Sequence, residues 1–346
     1  MKLVIFAGGK GTRLWPLSRE NSPKQFDQIF SGKSTIQLAV DRIAPVFGLE
    51  NIFIQTLPKY AVTIEEQIPG LSKENIIVEP ERRNLGPAVC LSMVELKKRG
   101  FDDSVALLWA DHLMERVDDF TQALQTADEL IKENTNRFVF LAERPRFANN
   151  NLGWIKVGEK AGELNGVDYH SFAGWKYRPA TEDCDRMFRE GNYFWNPGYF
   201  ITSIDFLIEQ YQKLAPEIYN DVTSGNYMNA EKLHFDEAII EKVDLSDAIV
   251  LQTNMGWSDP GTLYALKEAL QTSSESNVTQ GLNVSLDTKD SLIYNLEAGK
   301  LITTIGLSGM VVVNTPDALI IVPKDEVVKI TKLIDKIKEE GQEKYL

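Results

Sequence analysis

Three glycines follow an apolar run in "VIFAGGKGTRLWPLSRENSPKQF", Val4 to Phe26. They are Gly8, Gly9 and Gly11, and the same stretch carries Lys10, Arg13 and Lys24. Glycine lets a backbone come close to a ligand and aim its amides at anionic oxygens. Arg13 can grip a phosphate with two parallel hydrogen bonds, and Lys24 adds a point charge. A glycine loop leaving a strand in this way is suited to phosphate. It is neither of two familiar phosphate motifs. GxGxxG needs a third glycine where Leu14 stands, and a Walker loop ending at "SGKS" needs one at Asp27.

Two carboxylates belong to the same chemistry. Asp111 closes "LLWAD", the end of an apolar run, and Asp259 lies in "GWSDPGT". Two carboxylates and substrate phosphates are the usual holders of Mg²⁺. Either residue alone could equally cap a helix. Glu79, in "VEPERRNLGPA", ends another short apolar run. It could accept from the N1–H and N2–H of guanine, which adenine lacks, or it could simply start a helix.

Short apolar runs begin near Leu3, Asn51, Asn75, Val105 and Arg137 and read as buried strands. Between them lie helical stretches. One begins at Ser34, a good N-cap, one runs from Gly86 to Gly100, and one follows Val117. Strand and helix in alternation predict an α/β domain with a mainly parallel sheet, whose ligands sit at the carboxyl ends of the strands. After about residue 145 the alternation loosens. Segments 191–200 and 257–262 are rich in Gly, Pro, Asn and Trp, as loops over a site are. The polar stretch 271–281 reads as a linker. The expected division is 1–270, the larger α/β domain, and 271–346, a small β-rich domain with a final helix. That helix places Val327, Ile330, Leu333, Ile334 and Ile337 on one face, packed on its own domain.

The chain has 346 residues, 43% hydrophobic and 25% charged, with a formal net charge of -13. That balance argues against nucleic acid as a partner. Yet residues 1–24 hold five cations (Lys2, Lys10, Arg13, Arg19, Lys24) against Glu20 alone. Positive charge confined to one loop suits a small anion. No apolar run approaches the ~18 residues of a membrane span, and no secretory signal is read, so the cytoplasm is the expected location. Cys90 and Cys184 make no disulfide framework.

Taken together, these residues resemble the nucleotide-sugar pyrophosphorylases, more narrowly the mannose-1-phosphate guanylyltransferases. The pattern GGxGTRLWPLSR is matched from Gly8 through Arg19, and PKQF by Pro23, Lys24, Gln25 and Phe26. EPxxRNxxPA is matched by Glu79, Pro80, Arg83, Asn84, Pro87 and Ala88, and Ala-Asp-His by Ala110, Asp111 and His112. "FWNPGYF" resembles the sugar-site motif through Trp195, Asn196, Gly198 and Phe200. "FDEAIIEK" and "WSDPGT" resemble two further family motifs, bringing in Asp236 and Asp259.

The resemblance implies a Rossmann-like nucleotide-diphospho-sugar transferase domain followed by a small left-handed β-helix-like domain. It implies transfer of GMP from GTP to mannose 1-phosphate, giving GDP-mannose and pyrophosphate, with Mg²⁺ as cofactor and a homodimer as assembly. Arg13 and Lys24 would be catalytic. Gly8, Gly9, Gly11, Thr12, Arg13, Glu79, Asn84, Pro87 and Ala88 would hold the nucleotide. Asp111, Gly153, Lys176, Arg178, Asn196, Gly198 and Asp236 would hold the sugar phosphate, and Asp111 and Asp259 the metal. Leu152 and Tyr177 stand where the family has tyrosine and glutamate, and Pro260 alters the loop after Asp259. These departures cluster on the sugar side. They motivate one alternative, another hexose 1-phosphate as acceptor; a second, a non-catalytic regulatory paralogue, is disfavoured by the presence of Arg13, Lys24, Asp111 and Asp259.

Overall fold

A computed structural model describes residues 1–9, 11–19, 25, 26, 32–177 and 179–346, with the backbone alone at Thr12. The chain forms two compact units. The first comprises Met1–Gly8, Ala39–Ala110 and Met114–Trp257; the second comprises Gly9–Leu38, Asp111–Leu113 and Ser258–Leu346.

Ten strands of the described residues build the first unit's sheet. They are β1 (Lys2–Phe6), β2 (Ile52–Thr56), β3 (Ile76–Val78), β4 (Ser104–Trp109), β5 (Val139–Glu143), β6 (Gly153–Leu164), β7 (Val167–Tyr177), β8 (Tyr193–Asn196), β9 (Phe200–Ser203) and β10 (Ile249–Thr253). Their order across the sheet is β10-β7-β6-β8-β5-β9-β4-β1-β2-β3. Strand β1 runs parallel between β2 and β4, with Ile5 facing Ile54 on one side and Leu108 on the other. Leu3, Val4 and Ile5 are fully buried, as expected of an uninterrupted apolar strand covered on both faces. β9 is inserted antiparallel between β4 and β5, and β10 lies parallel to β5.

Helix Leu85–Lys98 buries Val89, Cys90, Met93 and Leu96 in the same core as Val4, Phe53, Val105 and Leu107. Helix Val117–Glu133 carries Asp118 and Asp119 in its first turn and Lys132 in its last, which complements its dipole. The looser region after residue 145 opens with one long antiparallel hairpin, β6–β7, turned at Asn165-Gly166. Both turn residues have positive φ, 54° and 76°, which the tight hairpin turn demands.

The second unit contains β11 (Val278–Gln280), β12 (Asn283–Leu286), β13 (Leu292–Asn295), β14 (Ile302–Ile305), β15 (Met310–Asn314) and β16 (Leu319–Pro323). Leu292 faces Val311 and Asn283 faces Ile302, both in parallel register, so successive coils of a β-helix-like stack repeat the same offset. The side chains of Asn295 and Asn314 join the coils: Asn314 Nδ2 donates to Asn295 Oδ1 at 3.0 Å, and Asn295 Nδ2 donates to the Leu282 carbonyl at 3.0 Å. The stretch 271–281 is more than a linker, because Val278–Gln280 is β11. Buried Lys267 also ties it down, donating to Gln271 Oε1 at 2.5 Å and to the Ser274 carbonyl at 3.3 Å.

The final helical segment begins as a 3-10 turn, Lys324–Lys329, and continues as helix Ile330–Glu339. Val327, Ile330 and Ile334 are buried within the second unit, as the periodicity predicts, while Leu333 stands at the edge of the stripe and is 38% exposed. Among the described residues no helix is long and apolar enough to cross a membrane.

Asn295→Ala removes a buried amide that accepts from Asn314 Nδ2 and donates to the Leu282 carbonyl, and should destabilise the chain by about 1–3 kcal/mol. Chemical unfolding checks this; an unchanged midpoint would mean that the stacked strands alone hold the coils together.

Candidate functional site

The sequence-predicted residues fall into two sets, one on each unit. In the second unit, Gly9, Gly11, Thr12 and Arg13 form the loop that follows β1. Gly11 has φ +67°, and the chain then closes a 3-10 turn, Thr12–Leu14, in which Leu14 N–H donates to the Gly11 carbonyl at 3.0 Å. Ser18 Oγ also donates to that carbonyl, and Gln25 Nε2 donates to the Gly9 carbonyl at 2.9 Å. The loop's carbonyls are thus held from within the loop. Leu14 is buried and Arg13, its neighbour on the tight turn, is exposed.

Asp111 and Asp259 belong to the same unit as Arg13. An antiparallel bridge joins Leu113 and Ser258, with N···O distances of 3.0 and 3.1 Å, and runs the two acidic segments side by side. Gly261 closes the arrangement. A Cβ built there would stand 2.9 Å from an Asp259 carboxylate oxygen and 3.3 Å from Arg13 Nη2, so Gly261 leaves room where the guanidinium and the carboxylate approach. No cluster of three or more His, Cys, Asp or Glu side chains encloses a metal position among the described residues. Two oxygen donors without a cage fit Mg²⁺, which takes one or two carboxylates and completes its shell with phosphate oxygens and water. Lys24 and Arg178 lie outside the described residues, as does the side chain of Thr12.

In the first unit, Gly8 ends the β1 segment, and Glu79 follows β3 with its N–H donating to the Thr56 carbonyl at 2.8 Å. Glu79 is 5% exposed. Its Oε1 accepts from Tyr227 Oη at 2.7 Å and from the Arg83 amide at 2.9 Å. Its Oε2 lies 3.8 Å from where a Gly8 Cβ would stand, so Gly8 leaves that oxygen uncovered. Burial pushes the Glu79 carboxyl above its ordinary range, against the pull of the Tyr227 and Arg83 hydrogen bonds.

Asn84 precedes helix Leu85–Lys98 with φ 63°, and its Nδ2 donates to the Lys232 carbonyl at 3.4 Å. Pro87 and Ala88 are buried in the first turn of that helix, where a missing proline N–H costs nothing. Gly86 admits the Leu233 carbonyl, which a Cβ would meet at 2.8 Å.

Gly153 on β6 pairs with Asn196 on β8. A Cβ at Gly153 would come within 3.4 Å of Asn196 Cβ and 3.8 Å of its Nδ2, so the glycine keeps that amide open. Asn196 Oδ1 accepts from Gly198 N–H at 2.8 Å. Gly198 has φ +75° and sits against Trp109, whose Nε1 donates to its carbonyl at 3.1 Å. Lys176 is exposed near the end of β7. Asp236 is exposed as a residue as well, while desolvation by the surrounding protein pushes its carboxyl up.

Two acid-binding arrangements were not singled out from the sequence. Tyr227 and the Arg83 amide support Glu79, and no local spacing announces Tyr227. Glu143, the last residue of β5, is fully buried and accepts from the amides of Met255, Gly256 and Trp257 at 2.8, 2.9 and 3.2 Å. An acid ending an apolar strand was the available signal, the same one that marks Asp111.

Fold and residues together define a nucleotidyl-transferring enzyme of the α/β class, and comparison with known proteins agrees. The nucleotidyl transferase profile matches residues 2–276, and the profile of the mannose-phosphate isomerase/GMP-like β-helix domain matches residues 281–337. The chain belongs to the nucleotidyl transferase family and groups within it with the mannose-1-phosphate guanylyltransferases. Mannose-1-phosphate guanylyltransferase 2 of Escherichia coli O157:H7 is 29% identical over 99% of this chain and 74% of its own length. The mannose-1-phosphate guanylyltransferase of Escherichia coli strain K12 is 30% identical over 99% of this chain and 74% of its own. A crystal structure described as a mannose-1-phosphate geranyltransferase from Thermus thermophilus superposes with a TM-score of 0.87 at 26% identity, covering 97% of this chain and 99% of that one.

The Glu79 arrangement makes a pH-dependent prediction. The folded chain holds the Glu79 proton to higher pH than the unfolded chain does. Stability linked to this group is therefore fully present below the unfolded value of about 4.3 and is lost as pH rises through the raised folded value. Tyr227 donates to the ionised form, so Tyr227→Phe should cost about 1 kcal/mol, and more at neutral pH than at acid pH. Urea unfolding of both proteins across that range tests it; a penalty independent of pH would remove Tyr227 as the partner of the carboxylate.

Proposed function

We propose that the chain transfers GMP from GTP to mannose 1-phosphate, releasing pyrophosphate and forming GDP-mannose. The observation that carries this reading is the similarity, at 29% and 30% identity over 99% of the chain, to relatives bearing that name. The arrangement of Arg13, Asp111 and Asp259 supports the chemistry.

A phosphate oxygen of the sugar attacks the α-phosphorus of GTP in line. A P–O bond forms there as the bond to the β-phosphate oxygen breaks, and pyrophosphate carries the electron pair away. The attacking oxygen is already ionised, so no general base is needed. Positioning and charge neutralisation carry the rate. Amides of Gly9 and Gly11 approach the triphosphate, and Arg13 and Lys24 neutralise its charge. Asp111 and Asp259 would hold Mg²⁺, which when bound draws charge from phosphate oxygens.

Glu79 offers Oε2 to the guanine N–H donors, since Oε1 is already occupied by Tyr227 and Arg83. Gly8 keeps that approach free, while Asn84, Pro87 and Ala88 shape the helix start beside it. Asn196, its amide left open by Gly153 and oriented by Gly198, faces the sugar together with Asp236. Lys176 and Arg178 meet the sugar's phosphate.

Pyrophosphate release from the purified protein with Mg²⁺ should require GTP and mannose 1-phosphate, and should fail with ATP, UTP, dTTP or glucose 1-phosphate. Release with GTP but another sugar phosphate would reassign the acceptor and implicate Leu152 and Tyr177. No release with any pair would overturn the reading.

Asp111→Asn should lower turnover by roughly 10²-fold or more with the fold intact. Near-normal activity at saturating Mg²⁺ would remove Asp111 from the metal. Arg13→Ala should lower kcat by roughly 10²-fold at saturating GTP, because its charge matters most in the transition state. A rise in KM alone would make it a ground-state contact.

A further inference from the structure

The loop's cations do not share one task. Arg19 is turned away from anion binding by its own partners. Its guanidinium donates to Asp317 Oδ1 at 2.6 Å, to Thr315 Oγ1 at 3.4 Å and to the main-chain carbonyl of Tyr345. Trp15 Nε1 donates to that same Tyr345 carbonyl at 2.8 Å. The guanidinium also lies 5.7 Å from the centre of the Trp15 indole. One carbonyl thus receives two donors from the loop, and one carboxylate neutralises the cation between them.

The apolar side chains of this arm are anchored in the same unit. Leu14, Trp15 and Leu17 are buried in one core with Leu263, Leu266, Ile330 and Ile334, and Leu346 packs against that core. Phosphate binding requires none of this. A buried tryptophan and a neutralised arginine do not bind an anion; they hold a turn in place. The turn they hold is Thr12–Leu14, which carries Arg13 outward toward Asp259. Fixed donors stabilise developing charge far better than mobile ones, since no reorganisation is left for the moment of reaction.

We propose that segment Glu343–Leu346 and Asp317 act as a lock on the glycine-rich loop, working through Trp15 and Arg19, so that Arg19 is a positioning residue for the nucleotide and not a phosphate ligand. The proposal rests on the reading of this loop as the triphosphate site.

Two variants test it: removal of residues 343–346, and Asp317→Ala, which replaces a side chain that is 47% exposed. Amide hydrogen exchange of peptides covering residues 11–19 should quicken by roughly tenfold or more in both variants, while exchange in β4 stays as it was. KM for GTP should rise by roughly tenfold with KM for mannose 1-phosphate nearly unchanged, and Asp317→Glu should restore much of the loss. Unchanged exchange at residues 11–19, or faster exchange throughout the chain, overturns the lock. So does an equal rise in both KM values. Should the unaltered protein release no pyrophosphate, the functional reading fails on its own, and the exchange measurement still decides whether the lock exists.

Discussion

Strand β1 is the element whose hydrogen bonding constrains the rest. It is paired on both sides, in parallel register with β2 and β4, and its side chains are buried on both faces. A strand so enclosed cannot slip by one residue without turning Val4 and Phe6 onto the face that Leu3 and Ile5 now fill. The last pairing is Phe6 with Gln55 and Trp109, and Ala7 still donates to the Gln55 carbonyl at 2.8 Å. The chain therefore leaves the sheet at Gly8, between β2 and β4. Glu79, which follows β3 in the same unit, turns its free carboxylate oxygen toward that glycine. The register of one strand thus sets which end of the sheet Gly8 shares with Glu79.

Charge is divided as strictly as position. The chain carries a formal net charge of -13, so a phosphate-rich ligand meets general repulsion away from the loop. Within the loop, Arg19 has a carboxylate at 2.6 Å and Arg13 stands exposed. Cations of one motif are thereby divided between holding the loop and facing outward from it. The division follows from side-chain partners, not from residue type.

Buried carboxylates show two different solutions to one desolvation problem. Glu143 turns both oxygens to backbone amides and the Thr253 hydroxyl, so its hydrogen-bonding capacity goes into shaping residues 253–257. Glu79 commits only Oε1 and keeps Oε2 toward the glycine at the end of the β1 segment. Burial raises both carboxyls, yet the first is closed to ligands and the second is open on one side. A strand-ending acid in a sequence does not say which of these it will be.

Much of the fold was legible because it rests on local patterns. Continuous apolar runs marked β1, β2, β3, β4 and β5, and the helical stretches from Gly86 to Gly100 and after Val117 marked segments between them. The glycines with Arg13, and the acids at strand ends, pointed to the chemistry through residue type and spacing alone. The β6–β7 hairpin went unread although Asn165-Gly166 is its turn signal, because the alternation in its strands is weak and its faces are only half buried. Tyr227 beside Glu79 was not readable, since the two lie 148 residues apart. The grouping of the glycine loop with Ser258–Leu346 in one unit was not readable either, nor was the Tyr345 carbonyl that receives Trp15 from 330 residues away. By itself the sequence determined the strand-and-helix alternation, the glycine and cation content of the loop and the family. Only the tertiary structure decided which carboxylate oxygens stay open and which cation is already neutralised, because partners distant along the chain leave no periodicity or spacing to be read.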